Sequence, residues 1–258
     1  MCASQTEPSL NSIYGPKYRD IKALVFDVFG TCVDWRTTVV AELQAVFASK
    51  AEAPELPDPL RQRLQSLTRQ DWEEFAQKWR MSYGEFTSGF VLGRTPWKDV
   101  DAHHYDSLTR QLSLVWHRLG PWKDSVEGLR LISEKYPTAT LSNGNPELLR
   151  DLNGMLEGGF RFIISAADFH AYKPNPIVYN GAASKLGLAT EQVAMVAAHV
   201  GDLEAARGCG MKTIYVERPK EEDSPAEDVE KARDWVDLWI PVEGNGFVDI
   251  AKHLRGGE

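Results

Sequence analysis

Apolar residues along the chain change texture twice. Residues 21–30, IKALVFDVFG, form a nearly continuous apolar run, rich in branched and aromatic side chains, that stops at Gly30. Such a run predicts a strand buried on both faces and closed by a tight turn. From residue 37 to about residue 116 the period lengthens to that of helices. Val39, Val40, Leu43, Val46 and Phe47 share one helical face, as do Leu60, Leu64 and Leu67, then Trp72, Phe75 and Trp79. A last helical stretch carries Leu108, Leu112, Val115, Trp116 and Leu119. PELPDP and FVLGRTPW, rich in proline and glycine, read as loops between these helices.

After Pro121 short strands alternate with helices. TATLSNG precedes NPELLRDLNGML, FRFIISA precedes NPIVYNGAASKLGL, VAMVAAHV precedes LEAARGCG, and MKTIYVER follows. This alternation predicts parallel strands joined by right-handed crossovers. The economical architecture is an α/β core of residues 21–36 and 117–258, interrupted by a helical insert at 37–116. Residues 1–20 are polar, with Pro8, Gly15 and Pro16, and read as a loose arm. The charged stretch RPKEEDSPAEDVEKARD reads as a solvated loop and helix face.

Composition narrows the function. The 258 residues suit one large domain or a domain with an insert. Against 29 basic side chains stand 37 acidic ones, a net charge of −8, so no cationic excess is available for nucleic-acid phosphates. No apolar run approaches the roughly 18 residues of a membrane span, and the first 20 residues lack a secretory pattern. Three scattered cysteines fit a reducing, cytoplasmic compartment better than a disulfide framework. Five of the eight tryptophans fall between Trp72 and Trp122.

Ligands of an open parallel sheet bind at the carboxyl ends of its strands. Four polar clusters fall at such ends: Asp27 to Thr31, Ser142-Asn143-Gly144, Tyr172-Lys173-Pro174, and His199 to Asp202. Asp27 interrupts an apolar strand between Phe26 and Val28, where an acid is costly unless compensated. It is either a structural carboxylate capping the next turn, or a nucleophile or metal ligand held by the amides of Phe29, Gly30 and Thr31. Thr31 can orient that carboxylate or simply cap the turn.

The ordered set FDVFGTCVDW, LSNGNP, AYKPNPIVY and VAAHVGDLEAA, with a helical insert after the first strand, resembles the haloacid dehalogenase superfamily. The resemblance implies an α/β fold: a three-layer, Rossmann-like parallel-sheet core with an inserted helical cap. It points to the 2-haloacid dehalogenase branch. Superfamily phosphatases carry a second acid two residues after the nucleophile, where this chain has Phe29. Their last motif pairs two acids for Mg²⁺, where this chain has Asp202 followed by Ala206, with Glu204 at an unusual spacing. The resemblance therefore implies no cofactor and no metal, a small anionic 2-haloalkanoate as substrate, and a homodimer.

It also implies roles. Asp27 attacks carbon, Arg80 in QKWRMSYGEF meets the halide, Asn143 assists it, and Ser142 with turn amides binds the substrate carboxylate. Lys173 keeps Asp27 ionised, and Asp202 holds Lys173 or orients water. Tyr179 hydrogen-bonds the site or packs its helix. Each of Arg80 and Lys173 could otherwise be a solvated surface cation. Phe29 and Trp97 are expected to wall the halogen pocket, while Trp72 and Trp79 read as the core of a helical bundle. Where other members carry serine and asparagine, this chain has Ala197 and His199. His199 could position water or act as a base. His103 and His104 read as surface residues. The rival readings are a Mg²⁺-dependent phosphatase using Asp27, and a non-catalytic scaffold that binds small anions.

Overall fold

The computed structural model describes residues 18–107 and 110–256. In chain order its strands are β1 (Ala23–Phe26), β2 (Val33–Asp34), β3 (Gly120–Pro121), β4 (Thr138–Thr140), β5 (Val193–Ala197), β6 (Lys212–Val216) and β7 (Leu238–Ile240). Five of them form one parallel sheet in the order β4-β1-β5-β6-β7. All four residues of β1 are buried, as expected for a central strand covered on both faces. Strand β7, which no clear apolar pattern announces, completes one edge.

The register sets the site. Phe26, the last residue of β1, lies opposite Thr140 on one side and Val196 on the other. The backbone continues this alignment, Leu141 donating to the Phe26 carbonyl and Asp27 to that of Val196. Asp27, Ser142 and His199 therefore leave three adjacent strands at the same rim.

Helices α1 (Trp35–Ala51), α2 (Asp58–Ser66), α3 (Arg69–Ser88), α4 (Val100–Ser107) and α5 (Arg110–Ser113) lie between β2 and β3, the antiparallel pair through which the chain leaves and re-enters the core. Asp34 caps α1, its carboxylate accepting from the Thr37 amide at 3.0 Å. Helix α1 thus starts two residues before the expected insert. The helical pattern over 108–119 breaks: α5 gives way to a 3₁₀ turn at Leu114–Arg118, and Leu108 lies outside the described residues. Among the described residues the insert has no separate core. Trp116 stacks on Trp35 and meets the edges of Trp79 and Phe29, so the aromatic side of the helices is continuous with the apolar face of the sheet. Trp72 stacks on Phe47 within the same cluster.

The core helices are α6 (Ser125–Ser133), α7 (Pro146–Met155), α8 (Pro176–Lys185), α9 (Val200–Gly208), α10 (Ala226–Ala232) and α11 (Gly246–Leu254). Three expectations need correction. FRFIISA does not form a strand; it makes isolated bridges at Phe162 and Ser165 beside β4. The backbone pairing is confined to a few bonds, such as Thr140 amide to Phe162 carbonyl and Phe162 amide to Thr138 carbonyl, and at Ile164 the hydroxyl Oγ1 of Thr140 bonds both the carbonyl and the amide. The stretch after Glu217 is not uniformly solvated: Arg218 and Glu221 are buried. Arg218 forks onto Asp124 at 2.6 and 2.8 Å, and a buried guanidinium needs such a partner. Within the supposed loose arm, Tyr18 is anchored, its hydroxyl donating to the Asp237 carbonyl; residues 1–17 lie outside the described residues. Among the described residues no helix is long and apolar enough to cross a membrane, and Cys32 and Cys209 are free thiols.

Candidate active site

Asp27 sits at the carboxyl end of β1, 8% exposed. Thr31, four residues on and fully buried, accepts the Ala198 amide at 2.9 Å. That bond leaves its own hydrogen aimed at Asp27 Oδ2, 2.7 Å away. Lys173 Nζ reaches Asp27 Oδ1 at 2.9 Å and Asp202 Oδ2 at 2.6 Å. His199 Nδ1 lies 3.2 Å from Asp27 Oδ2. Asp202, in the first turn of α9, also accepts from Tyr179 of α8 at 2.5 Å. Tyr179 is both fully buried helix packing and part of this network.

The electrostatics follow from burial against pairing. Burial alone would raise the Asp27 carboxyl, but the Lys173 ammonium and His199 outweigh it and hold the group well below the usual carboxylate range. Burial opposes charging Lys173, yet Asp202 and Asp27 raise its pKa. For His199, too, burial is outweighed by the bond to Asp27 and its charge, and the imidazole is pushed up. Asp202 is pushed up by burial, with the charge of Asp27 adding to the effect.

One turn amide behaves differently from expectation. Gly30 has φ +82° and its amide donates to the Val33 carbonyl at 3.2 Å, so it is not free to hold the Asp27 carboxylate. Closing the turn takes precedence because Val33 starts β2. Asn143 clamps the lysine segment, its side chain bonding the Lys173 amide at 2.7 Å and the Lys173 carbonyl at 3.3 Å. Ser142 is buried, and its hydroxyl accepts from the Gly144 amide.

These residues open onto a cavity of about 660 Å³. Asp27, Phe29, Arg80, Ser142, Lys173 and His199 all line it. Arg80, from α3, places its guanidinium 5.9 Å from the Phe29 ring centre and 5.2 Å from that of Trp35, within cation–π reach. Trp97 does not line this cavity. It stacks on Tyr172 at 4.4 Å with the edge of Phe90 against it, a contact that braces the segment leading to Lys173. Flat stacking on a buried tyrosine removes more of the indole from water than a place at a polar cavity wall would. His103 is not a plain surface residue either, since it stacks on Phe86 at 4.9 Å; the side chain of His104 lies outside the described ones.

Sequence reasoning missed Trp35, Tyr83 and Glu221, which also line the cavity. Tyr83 donates to the Asn143 carbonyl at 3.4 Å, joining α3 to the rim. Glu221 follows β6, a further strand end on the same rim; the charge-rich stretch around it concealed that signal.

A divalent cation does not fit these carboxylates. Both oxygens of Asp202 and both of Asp27 are engaged by Lys173, Tyr179, Thr31 or His199. Glu204 is exposed, and no three His, Cys, Asp or Glu side chains among the described residues group as a metal site.

A parallel α/β core with its polar rim under an inserted helical cap defines a capped α/β enzyme architecture. The chain belongs to the haloacid dehalogenase-like hydrolases, whose family model matches residues 21–210. It is 30% identical over 201 residues to (S)-2-haloacid dehalogenase 4A of Burkholderia cepacia, covering 77% of this chain and 84% of that protein. It is 30% identical over 207 residues to (S)-2-haloacid dehalogenase 1 of Pseudomonas sp. (strain CBS-3), covering 77% and 85%. A crystal structure of an L-2-haloacid dehalogenase superposes with a TM-score of 0.73 at 31% identity, covering 91% of this chain and 99% of the other. A defluorinating L-2-haloacid dehalogenase gives 0.73 at 30% identity, covering 94% and 98%.

Proposed function

We propose that this protein hydrolyses short (S)-2-haloacids to (R)-2-hydroxyacids through an ester on Asp27. The observation that carries the reading is an ionised, buried Asp27 held by Lys173, Thr31 and His199, with Phe29 where a proton donor would have to stand. Halide is a good leaving group and needs no proton, only a cradle. A phosphoester leaving group would need that proton, which disfavours the phosphatase reading.

The carboxylate attacks C2 in line, a C–O bond forms as the carbon–halogen bond breaks, and the carbon inverts. Arg80, resting on Phe29 and Trp35, receives the halide. Water then adds to the Asp27 acyl carbon, and cleavage of the acyl–oxygen bond releases the hydroxyacid and regenerates Asp27. In this reading that water is oriented by Asp202, His199 and Lys173. Ser142 binds the substrate carboxylate, and Asn143 assists the leaving halide. The net charge of −8 makes this local cluster of Arg80, Lys173 and His199 necessary for anion binding.

Residues 37–116 are the proposed cap, closing over core residues 21–36 and 117–258. The family resemblance supports a homodimer, which light scattering tests, and the scattered cysteines support a cytoplasmic setting. Turnover of 2-chloropropionate in ¹⁸O-water with enzyme in excess tests the chemistry. Heavy oxygen in the peptide containing Asp27 is expected; product formed with that peptide unlabelled would refute the ester.

A further inference from the structure

The turn that presents Thr31 to Asp27 is held from behind. Between β1 and β2 the consecutive carbonyls of Gly30, Thr31 and Cys32 all accept from groups outside the turn. The Trp122 indole N–H donates to Gly30 at 2.9 Å, and the Trp122 amide donates to Cys32 at 3.2 Å. The carbonyl of Thr31 accepts from Nε of Arg218 at 3.1 Å. Trp122 follows β3 and Arg218 follows β6, so sites far apart in sequence converge on this one turn.

Arg218 is itself fixed. Its two terminal nitrogens fork onto Asp124, and its guanidinium lies 5.4 Å from the Trp122 ring centre and 5.0 Å from that of Phe247. Asp124 Oδ2 also accepts the Phe247 amide at 2.7 Å. A Cβ added at Gly246 would fall 2.0 Å from that same oxygen, so the carboxylate fills the space that the glycine leaves open. All three guanidinium nitrogens are therefore engaged, and the planar fork dictates where Nε points.

A buried ion pair is by itself weak evidence for stability, because desolvation offsets its attraction. What this pair does reach is the backbone of Thr31, whose hydroxyl accepts the Ala198 amide and donates to Asp27 Oδ2. A β-branched side chain has few rotamers, so the direction of its hydroxyl follows the backbone that carries it. Arg218 does not line the cavity, and its route to Asp27 runs through the Thr31 peptide and then the Thr31 hydroxyl.

We infer that Arg218, braced by Asp124, is a positioning residue for the reaction: by fixing the Thr31 carbonyl it sets the angle at which the Thr31 hydroxyl holds the attacking carboxylate. This rests on the reading of Asp27 as the nucleophile and adds a residue that acts on it without touching substrate.

R218K separates this role from plain support, because the ammonium can still pair with Asp124 while the Nε donor to Thr31 is gone. In halide release from 2-chloropropionate, R218K is expected to lower kcat roughly 10- to 100-fold with KM nearly unchanged, the scale of a small misplacement of an attacking group. In a T31V background the same change is expected to lower kcat by no more than about twofold, since the hydroxyl through which Arg218 acts is already absent. A second readout needs no activity: amide hydrogen exchange by NMR on the full chain follows the Ala198 N–H, which bonds the Thr31 hydroxyl. R218K is expected to speed exchange at Ala198 by about tenfold or more, while the Leu141 amide, bonded to the neighbouring Phe26 carbonyl, keeps its protection. D124N/R218M removes both charges together and keeps a side-chain oxygen for the Phe247 amide; it is expected to give the same two results, so that poor folding of R218K alone leaves a second measurement. Equal effects of R218K on kcat with and without the Thr31 hydroxyl would overturn the inference. So would an Ala198 amide as protected as in the native protein, or a uniform rise in exchange across β1 and β5. Exchange at Ala198 that follows Arg218 in a protein releasing no halide sinks the dehalogenation reading alone.

Discussion

His199 Nδ1 lies 3.2 Å from Oδ2 of Asp27, so the ring nitrogen shares one carboxylate oxygen with the Thr31 hydroxyl. The pair gives a stability signature. Although burial works against it, the bond to Asp27 raises the folded-state pKa of His199 above its ordinary 6.5. A raised pKa stabilises the fold fully below the unfolded value, and the contribution disappears as pH rises through the folded value. Between about pH 6 and about pH 9 the melting temperature of the native protein is therefore expected to drop by an increment that His199→Asn lacks. Identical pH slopes for the two proteins would show that His199 carries no such linkage.

Lys173 bridges two buried carboxylates, and its side chain is 9% exposed. Lys173→Met removes the cation that bonds both, leaving two acids to share a desolvated site. A stability loss of about 3–5 kcal/mol is expected in urea titrations, the usual cost of breaking a buried pair. Activity is expected to fall by about 100-fold or more, because Asp27 loses the ammonium that keeps it ionised. Retention of near-native turnover would contradict the assignment of Lys173.

Thr31 donates to Asp27 and accepts from Ala198. Thr31→Val keeps the shape and loses both bonds, stranding the buried Ala198 amide and leaving Asp27 Oδ2 to His199 alone, at about 1–3 kcal/mol. Thr31→Ser keeps the hydroxyl and is expected to retain most of kcat. A larger loss in Thr31→Ser than in Thr31→Val would mean that the methyl group, and not the hydrogen bond, is what matters.

Trp97 touches Tyr172 and Phe90 and not the cavity. Trp97→Ala is expected to lower stability by about 1–2 kcal/mol through the lost aromatic contacts while leaving KM within a few-fold. Phe29→Ala, by contrast, opens the cavity wall under Arg80 and is expected to lower kcat/KM by more than about tenfold. A large KM change in the Trp97 variant would return that residue to the halogen pocket.

The burial of Asp27 was legible because an acid inside an apolar strand demands compensation, and the strand-end clusters were legible because parallel sheets gather such ends at one rim. The helical insert was legible from its period. FRFIISA failed because a strand needs a continuous partner ladder, and here the backbone bonds to β4 are interrupted at Ile164, whose amide and carbonyl go to the Thr140 hydroxyl. Trp97 failed because an aromatic residue in a helical insert has many equivalent partners, and only packing chooses Tyr172.

By itself the sequence determined which chemical groups exist and roughly which strand ends carry them: a carboxylate without a neighbouring acid, a lysine, a histidine and a cap arginine. The tertiary structure decided which of them meet. Lys173 reaches Asp27 across 146 positions of chain, and Glu221 reaches Trp35 across 186. Local pattern carries no information at such separations, because the contact is fixed by sheet register and loop anchoring. That is why a stretch of charges that reads as solvated could place one buried acid against the floor of the site.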